Sequence, residues 1–456
     1  MADAGALASE LATNGVVGVT IVWADNNGIP RSRTVPVASL PQVALRGIGV
    51  STTLAVFDTH DTITFAHQGL DTPCGDIRVV PDLRGLTRLA GQPALAWVPG
   101  RQIAVDGSRW PYDQRGVLEA QVEAAAAEGL DIKAGYELEF VLTQAGDFGD
   151  PDEEPRLAYQ APAYSPHALL AVDELVADLL GDLADNGVPV NQLHAEYGAA
   201  QVELSIAAAD PITAADRQLL TRQTIHAAAR ANGLRACFAP LFTAAGVGNG
   251  WHLHTSVWRD GRNLLASSAA AADRPGPDGL GWLGGLLRDL PALAAITAPS
   301  VPSLARLRPG YWASAYQFWG VENREAPLRY ALGSEFLGAD YANVELKVSD
   351  ASANPYLALS VVLAAGVAGL QDKAELPEPI QSDPGTWSEE ERSRHGLVRL
   401  PNSPQQREEA LLGNERLRAV LGDEVLGAFL AVRRSDAAWA AERSAEEVVA
   451  AHLWRY

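Results

Sequence analysis

Four segments of this chain alternate with a period of two residues, and the polar side of each alternation carries side chains suited to binding metals. In residues 132–143, Ile132, Ala134, Tyr136, Leu138 and Phe140 fall on one side, Glu137 and Glu139 on the other. In residues 201–206, Val202, Leu204 and Ile206 oppose Gln201, Glu203 and Ser205. In residues 251–258, His252, His254 and Ser256 oppose Leu253 and Val257. In residues 343–349, Val344, Leu346 and Val348 oppose Asn343, Glu345 and Lys347. A period of two is the signature of a strand, whose successive side chains point to opposite faces. Residues i and i+2 lie roughly 6.5–7 Å apart along one face. Facing strands can therefore gather carboxylates and imidazoles around a common centre.

A lone Glu on a strand is normally a solvent-facing residue of an open sheet face. A lone His-x-His pair is equally weak, because zinc hydrolases and structural sites use the same spacing. The joint occurrence of four such strands, with Glu196 just upstream of Glu203, points instead to a shared site. So much negative charge in one place is costly unless cations neutralise it. Ligands dominated by carboxylate oxygen favour Mg²⁺ or Mn²⁺, and an imidazole among them leaves room for Mn²⁺. The remaining histidines, His60, His67, His167, His194, His226, His395 and His452, show no ligand spacing and are read as structural or exposed.

The basic counterpart lies between Ser303 and Tyr330, where Arg306, Arg308, Arg324 and Arg329 stand among Gly310, Trp312, Trp319 and Gly320. The planar fork of arginine suits carboxylate and phosphate oxygens, although surface ion pairing is the ordinary use of such residues. Metals and arginines around one cavity suggest phosphoryl transfer, where positioning and charge neutralisation supply most of the catalysis. No Walker-type Gly-Lys-Ser/Thr loop exists, so a nucleotide must be held in another way.

The net charge of −21 argues against nucleic acid and against an anionic membrane surface as partners. The chain has only two cysteines, Cys74 and Cys237, which make no disulfide scaffold at 456 residues. Residues 1–14 lack a basic segment followed by an apolar run, so no secretory signal is expected. The most apolar stretch, residues 356–370, contains Ser360 and Gly366 and reads as a core helix. A cytoplasmic location follows from these features.

Residues 15–36 read as a hairpin: an alternating run at 16–23, a turn at Asn26-Asn27-Gly28, and a second strand at 30–35. Residues 77–98 are strand-rich, with a break at 82–85. This first unit ends near residues 106–111, where Gly107 and Pro111 punctuate the chain. Helical spacing then appears at 117–128, 166–186, 216–232, 280–295 and 355–371. Ser403 and Pro404 open a further helix expected to reach about Leu421, followed by helices at 423–434 and 437–453.

In order along the chain, residues 135–140 (GYELEF), 196–203 (EYGAAQVE), 248–256 (GNGWHLHTS), 323–329 (NREAPLR) and 345–356 (ELKVSDASANPY) resemble the glutamine synthetase family. The N-terminal hairpin and residues 79–82 (VVPD) are similar to the family's β-grasp domain. The resemblance implies an α+β fold, with a β-grasp domain over residues 1–106. A large catalytic domain with a curved antiparallel sheet would span residues 107–456. It implies two or more Mg²⁺ or Mn²⁺ ions per site, with ATP as cosubstrate. One ion would be held by Glu139, Glu196 and Glu203, the other by Glu137, His252 and Glu345. His254, Ser256, Arg324 and Arg329 match ATP-contacting positions, and Arg324 and Arg306 match catalytic arginines. Gly248, Arg306, Lys347 and Trp312 match substrate-binding positions. The family reaction phosphorylates the γ-carboxylate of glutamate, and an amine then displaces the phosphate. The resemblance also implies a homo-oligomer, twelve subunits in two stacked hexameric rings, with each site between neighbours.

The departures from the family pattern carry information of their own. Ammonia-using members place a Glu after the Gly-Tyr that here reads Gly310-Tyr311, and this chain has Trp312. They also carry an Asp in an N-terminal loop, whereas residues 47–53 (GIGVSTT) contain no carboxylate. Two anions that bind and deprotonate ammonium are thus missing together, and a larger apolar wall suits an organic amine. This pattern is similar to the family's γ-glutamylamide synthetases. On the acid side, a family Asn is Val247 and a family Arg is Lys347, which leaves a related carboxylic acid as an alternative to glutamate. No tyrosine lies between Tyr356 and Tyr456, so control by adenylylation of the usual bacterial kind is not expected. The reading is an ATP-dependent carboxylate–amine ligase. Its rivals are an ammonia-using glutamine synthetase, a non-catalytic family member with a regulatory role, and a metal hydrolase.

Overall fold

The computed structural model describes residues 3–146, 155–268, 271–312, 315–334 and 336–456. Its N-terminal part is built on the expected hairpin. Gly18–Ala24 pairs antiparallel with Pro30–Pro36, and Asp25 Oδ1 accepts from the amides of Asn27 and Ile29 at 2.8 and 3.1 Å to form the turn. Gly28 holds a φ of +67° there, a conformation that suits a residue without Cβ. Gly18–Ala24 also pairs in parallel with Leu95–Ala104. The six-stranded sheet runs Pro30–Pro36, Gly18–Ala24, Leu95–Ala104, Asp76–Pro81, Ile48–Ser51, with Thr87–Arg88 added beside Leu95–Ala104. Val19, Ile21, Val50, Val79 and Val98 bury its apolar side with Val43 of the helix Leu40–Arg46. A helix at Ala4–Thr13, capped by Asp3, precedes the hairpin where no element was expected.

The larger sheet has nine strands, running Trp319–Val321, Leu328–Ala331, Asn343–Leu346, Trp251–Arg259, Asp131–Gln144, Gln201–Ile206, Val190–Ala195. Leu234–Cys237 and Arg262–Asn263 pair with its central members. All these pairings are antiparallel except that of Trp319–Val321 with Leu328–Ala331. Ile132, Ala134, Tyr136, Leu138, Val202, Leu204, Leu253, Val257, Val344 and Leu346 all enter the main core, so the apolar halves of the four alternations face one way. The helix Pro355–Asp372 is two-thirds buried and packs against Pro277–Thr297 and Gln114–Ala127. Its apolar length is thus accounted for inside the protein.

Several helix boundaries differ from expectation, each for a local reason. The 216–232 helix begins earlier, at Pro211, because Asp210 caps it by accepting from Thr213 N. The 166–186 helix divides into Pro166–Leu170 and Asp173–Asp185. The helix expected from 403 to 421 stops at Leu412, and Asn414 caps a new one, Glu415–Ala440, bent at Gly422. That helix continues through the expected break between 434 and 437, and Ala445–His452 follows.

The hairpin docks on the larger sheet's side of the molecule through residues 350–356. Asn354 Oδ1 caps the helix Pro355–Asp372 by accepting from Tyr356 N and Leu357 N. Its Nδ2 donates to Ala24 O and Asp25 O at 3.2 and 2.9 Å. Arg222, fully buried, donates to Gly28 O at 2.8 Å and Ala351 O at 3.2 Å. The most distinctive sequence motif of the chain therefore ends in a structural joint.

Candidate metal and active site

Strand register places the polar halves of the alternations in rows across the sheet. One row reads His194, Glu203, Glu139. The next reads Ser205, Glu137, His252, and the third His254, Glu345, Arg329. Of the residues expected to hold metal, Glu137, Glu139, Glu203, His252 and Glu345 lie in these rows and Glu196 lies beside His194 and Glu203, while His254, expected at the nucleotide, joins Glu137 and Glu345.

Two groups of ligand atoms form within this face. Glu137, His254 and Glu345 offer atoms within 4.8 Å of one another, as do His194, Glu196 and Glu203. His252 stands between them. Its Nδ1 is 3.3 Å from Glu345 Oε1 and 3.5 Å from Glu137 Oε2, and its Nε2 is 3.8 Å from Glu139 Oε1. His254 Nδ1 bonds Asn343 Oδ1 at 2.8 Å, which turns Nε2 toward Glu137 Oε1 at 3.3 Å. Glu196 Oε2 is buried without a hydrogen-bond partner. A buried carboxylate oxygen with no donor of its own, grouped with a further carboxylate and an imidazole, fits a divalent cation.

Proton distribution across the face is uneven. Burial, reinforced by Glu137, Glu139 and Glu196, pushes Glu203 up to about 10. Burial alone would also raise Glu137, but His254 and His252 outweigh it and hold that carboxyl well below the usual range. Glu345 is likewise raised by burial, yet Lys347, His254 and His252 bring it down to about 2. Burial would lower His254, while Glu137 and Glu345 pull it up to about 9. Cations on these groups would displace the protons of Glu203 and His254, so binding would release protons.

His194 corrects the sequence reading. It is half-buried, with Nε2 3.6 Å from Glu196 Oε2 and 3.7 Å from Glu203 Oε1. The signal was present in Gln192, His194 and Glu196, a period-2 face opposite Leu193 and Ala195. Tyr164 was also missed. Its hydroxyl donates to Glu196 Oε1 at 3.0 Å, its ring stacks 6.0 Å from His194, and its φ of +57° is a strained conformation for a tyrosine.

The basic residues divide sharply. Arg324 is exposed, with no ion pair among the described residues. Arg329 donates to Glu345 Oε2 at 3.0 Å and also pairs with Glu322. Lys347, buried, has its Nζ 3.3 Å from Glu345 Oε1. Arg306 is buried and committed to backbone. It donates to Ser349 O at 2.9 Å and Lys347 O at 3.4 Å, and its Nε lies 3.5 Å from Asp350. A Cβ on Gly248 would overlap the Arg306 side chain, which explains the glycine. Ser256 Oγ accepts from Trp258 Nε1 at 2.9 Å, two residues beyond His254 on the same face. Trp312 is exposed with a φ of +51°, after Tyr311, whose ring lies 3.8 Å from the Arg308 guanidinium.

Comparison with known proteins gives a consistent picture. Residues 111–449 match the glutamine synthetase catalytic domain. A gamma-glutamylpolyamine synthetase, GlnA3 of Streptomyces coelicolor, is 41% identical over 99% of this chain and 96% of its own length. A glutamine synthetase of Pyrococcus abyssi is 29% identical over 95% of this chain and 92% of its own. Among solved structures, a novel glutamine synthase homolog superposes with a TM-score of 0.85 at 30% identity, covering 97% of this chain and 99% of that one. GmaS in complex with ADP gives a TM-score of 0.82 at 26% identity, covering 96% and 97%. With rows of acidic and imidazole side chains on one sheet face and a catalytic-domain match over most of its length, this chain belongs to the glutamine synthetase family.

Proposed function

We propose that this protein is an ATP-dependent ligase that joins the γ-carboxylate of glutamate to an organic amine through a γ-glutamyl phosphate intermediate. One observation carries this reading: an intact acid–imidazole face is combined with an acceptor side stripped of carboxylates. Trp312 stands where ammonia-using relatives have Glu, and residues 47–53 have no acid. The 41% identity to a gamma-glutamylpolyamine synthetase supports the choice of an organic amine over ammonia.

In this reading Glu139, Glu196 and Glu203, with His194, hold one Mg²⁺ or Mn²⁺, and Glu137, His252 and Glu345 hold another, with His254 at its edge. Bound there, the cations would neutralise and orient phosphate oxygens. Arg329 and Lys347 fix the Glu345 carboxylate from two sides. Arg324, exposed, remains available for ATP phosphate, and Ser256 for the nucleotide. Arg306 supports the backbone of Lys347 and Ser349 next to Gly248, so its contribution to binding the acid is one of shape. We further propose a first domain over residues 1–106 of β-grasp type and assembly into a dodecamer, with residues 47–53 reaching a neighbour's site. Two free thiols, one buried and one exposed, suit a reducing cytoplasm.

The test is ATP turnover with glutamate and a panel of amines, reading phosphate release and product mass. Amine-dependent phosphate release with a γ-glutamyl amide product is the expected result. Glu139→Ala and Glu345→Ala should abolish turnover, and Glu345→Gln, which keeps an acceptor oxygen for Arg329 and Lys347, separates loss of the cation ligand from loss of the fold. Turnover without ATP would point to a hydrolase, and wild-type rates in either Ala variant would defeat the two-cation assignment.

A further inference from the structure

The geometry points to Gln201 as the residue that positions Glu139 for a cation and ties that carboxylate to the glycine-rich turn at Gly248. Gln201 is 1% exposed and shares a strand face with Glu203 and Ser205. Its Nε2 lies 3.1 Å from Glu139 Oε2, 2.9 Å from Gly248 O and 2.9 Å from Asn249 Oδ1. Its Oε1 accepts from Gly198 N at 2.9 Å, in the turn between Glu196 and Glu203. One buried amide thus touches a ligand, the turn after a second ligand, and the loop before a third, His252.

The orientation of this amide is fixed by its partners. Asn249 donates through Nδ2 to Ala239 O at 2.9 Å and Cys237 O at 3.3 Å, so its oxygen faces Gln201. The Gln201 oxygen is taken by Gly198 N, so its nitrogen faces Glu139. Glu139 Oε2 also accepts from Gly250 N at 2.8 Å. Two donors on one oxygen leave Oε1 as the free corner of the carboxylate, on the side of His252 Nε2. Outer partners of this kind orient a ligand and set its affinity.

The amide nitrogen has two hydrogens for three acceptors. Glu139, Gly248 O and Asn249 Oδ1 therefore share them, and a change in one shifts the others. Movement of the Gly248 turn, expected to meet the acid substrate, is coupled in this way to the direction of Glu139. The alternative is a buried glutamine that only satisfies backbone groups. That role would affect stability and leave cation affinity alone.

The inference rests on the proposed cation site and is tested on the whole protein with Mn²⁺ alone, by calorimetric titration or by the spin resonance of free Mn²⁺. Gln201→Met keeps length and volume but removes the donors and the acceptor. It should weaken one class of Mn²⁺ site by about 10- to 100-fold, the effect typical of losing an outer partner, with circular dichroism and assembly size unchanged. Gln201→Asn withdraws the amide by one methylene, keeps its polarity, and should show the same loss if the Met variant does not fold. Because Gln201 acts through Glu139, Gln201→Met in a Glu139→Gln background should add less than about twofold. Wild-type Mn²⁺ affinity in folded Gln201→Met, or losses that multiply in the double variant, would overturn the proposal alone. A wild-type protein that takes up no Mn²⁺ would overturn the cation site and the proposal together.

Discussion

His194 Nε2 lies 3.7 Å from Glu203 Oε1, the two residues standing level across paired antiparallel strands. This places a third imidazole, after His252 and His254, on a face otherwise ruled by carboxylates. Imidazole suits Mn²⁺ better than Mg²⁺, so its removal should be felt unequally.

His194→Ala is expected to weaken Mn²⁺ binding at the Glu196 and Glu203 group by about tenfold, near 1.4 kcal/mol, with a smaller loss for Mg²⁺. Competition titrations of the two ions measure this. Equal affinities in variant and wild type would return His194 to a structural role.

The hairpin joint offers a stability test remote from the site. Gly28 has a φ of +67°, and a Cβ there would overlap the carbonyl of Ala353. Gly28→Ala must strain the turn and push the hairpin off residues 351–354, at a cost of about 2–3 kcal/mol. Denaturant unfolding should show this, whereas Gly107→Ala, with open space around it, should lose less.

How much of this was legible in the sequence depends on the range of the interaction that sets each feature. Period-2 alternation is local, so the four ligand strands and their faces could be read directly. Which residues face each other across strands is not local, and so Glu203 could be seen while its row partner His194 was passed over. The strand Val190–Ala195 also carries a register shift between Val190 and Gln192, which blurs its pattern. Tyr164 comes from a loop outside any periodic element and reaches Glu196 only through the fold. Arg306 reads from sequence as a carboxylate- or phosphate-binding arginine because it stands among glycines and tryptophans. Its burial against Ser349 O is a tertiary fact. Helix ends were misplaced where one polar residue decides them, as Asp210 and Asn414 do.

Burial at the start of the helix Gln114–Ala127 gives a pH test. Asp113 caps it by accepting from Gly116 N at 3.1 Å, and burial pushes its carboxyl up to about 7. A folded pKa above the unfolded one makes this group's contribution full below about pH 4 and lost as the pH rises through about 7. Asp113→Asn keeps the cap and has no proton to lose. The variant's Tm relative to wild type should therefore climb from about pH 4 to about pH 7 and level off above it. A constant difference across that window would show that Asp113 does not titrate there.

The acceptor side decides which nucleophile the enzyme uses. On the proposed reading, Trp312 replaces one anion and residues 47–53 lack the other, so the two groups that would favour the ammonium cation and take its proton are missing. An amine with an apolar body gains burial against the indole, on the order of 0.8 kcal/mol per methylene. The decisive measurement is kcat/KM for ammonium against a panel of alkylamines, aminoalcohols and polyamines, with ATP and glutamate, at equal free-base concentration and with product mass recorded. At least one organic amine should exceed ammonium in the wild type, and Trp312→Glu should selectively lose that preference. Ammonium emerging as the best acceptor across the panel would contradict the account.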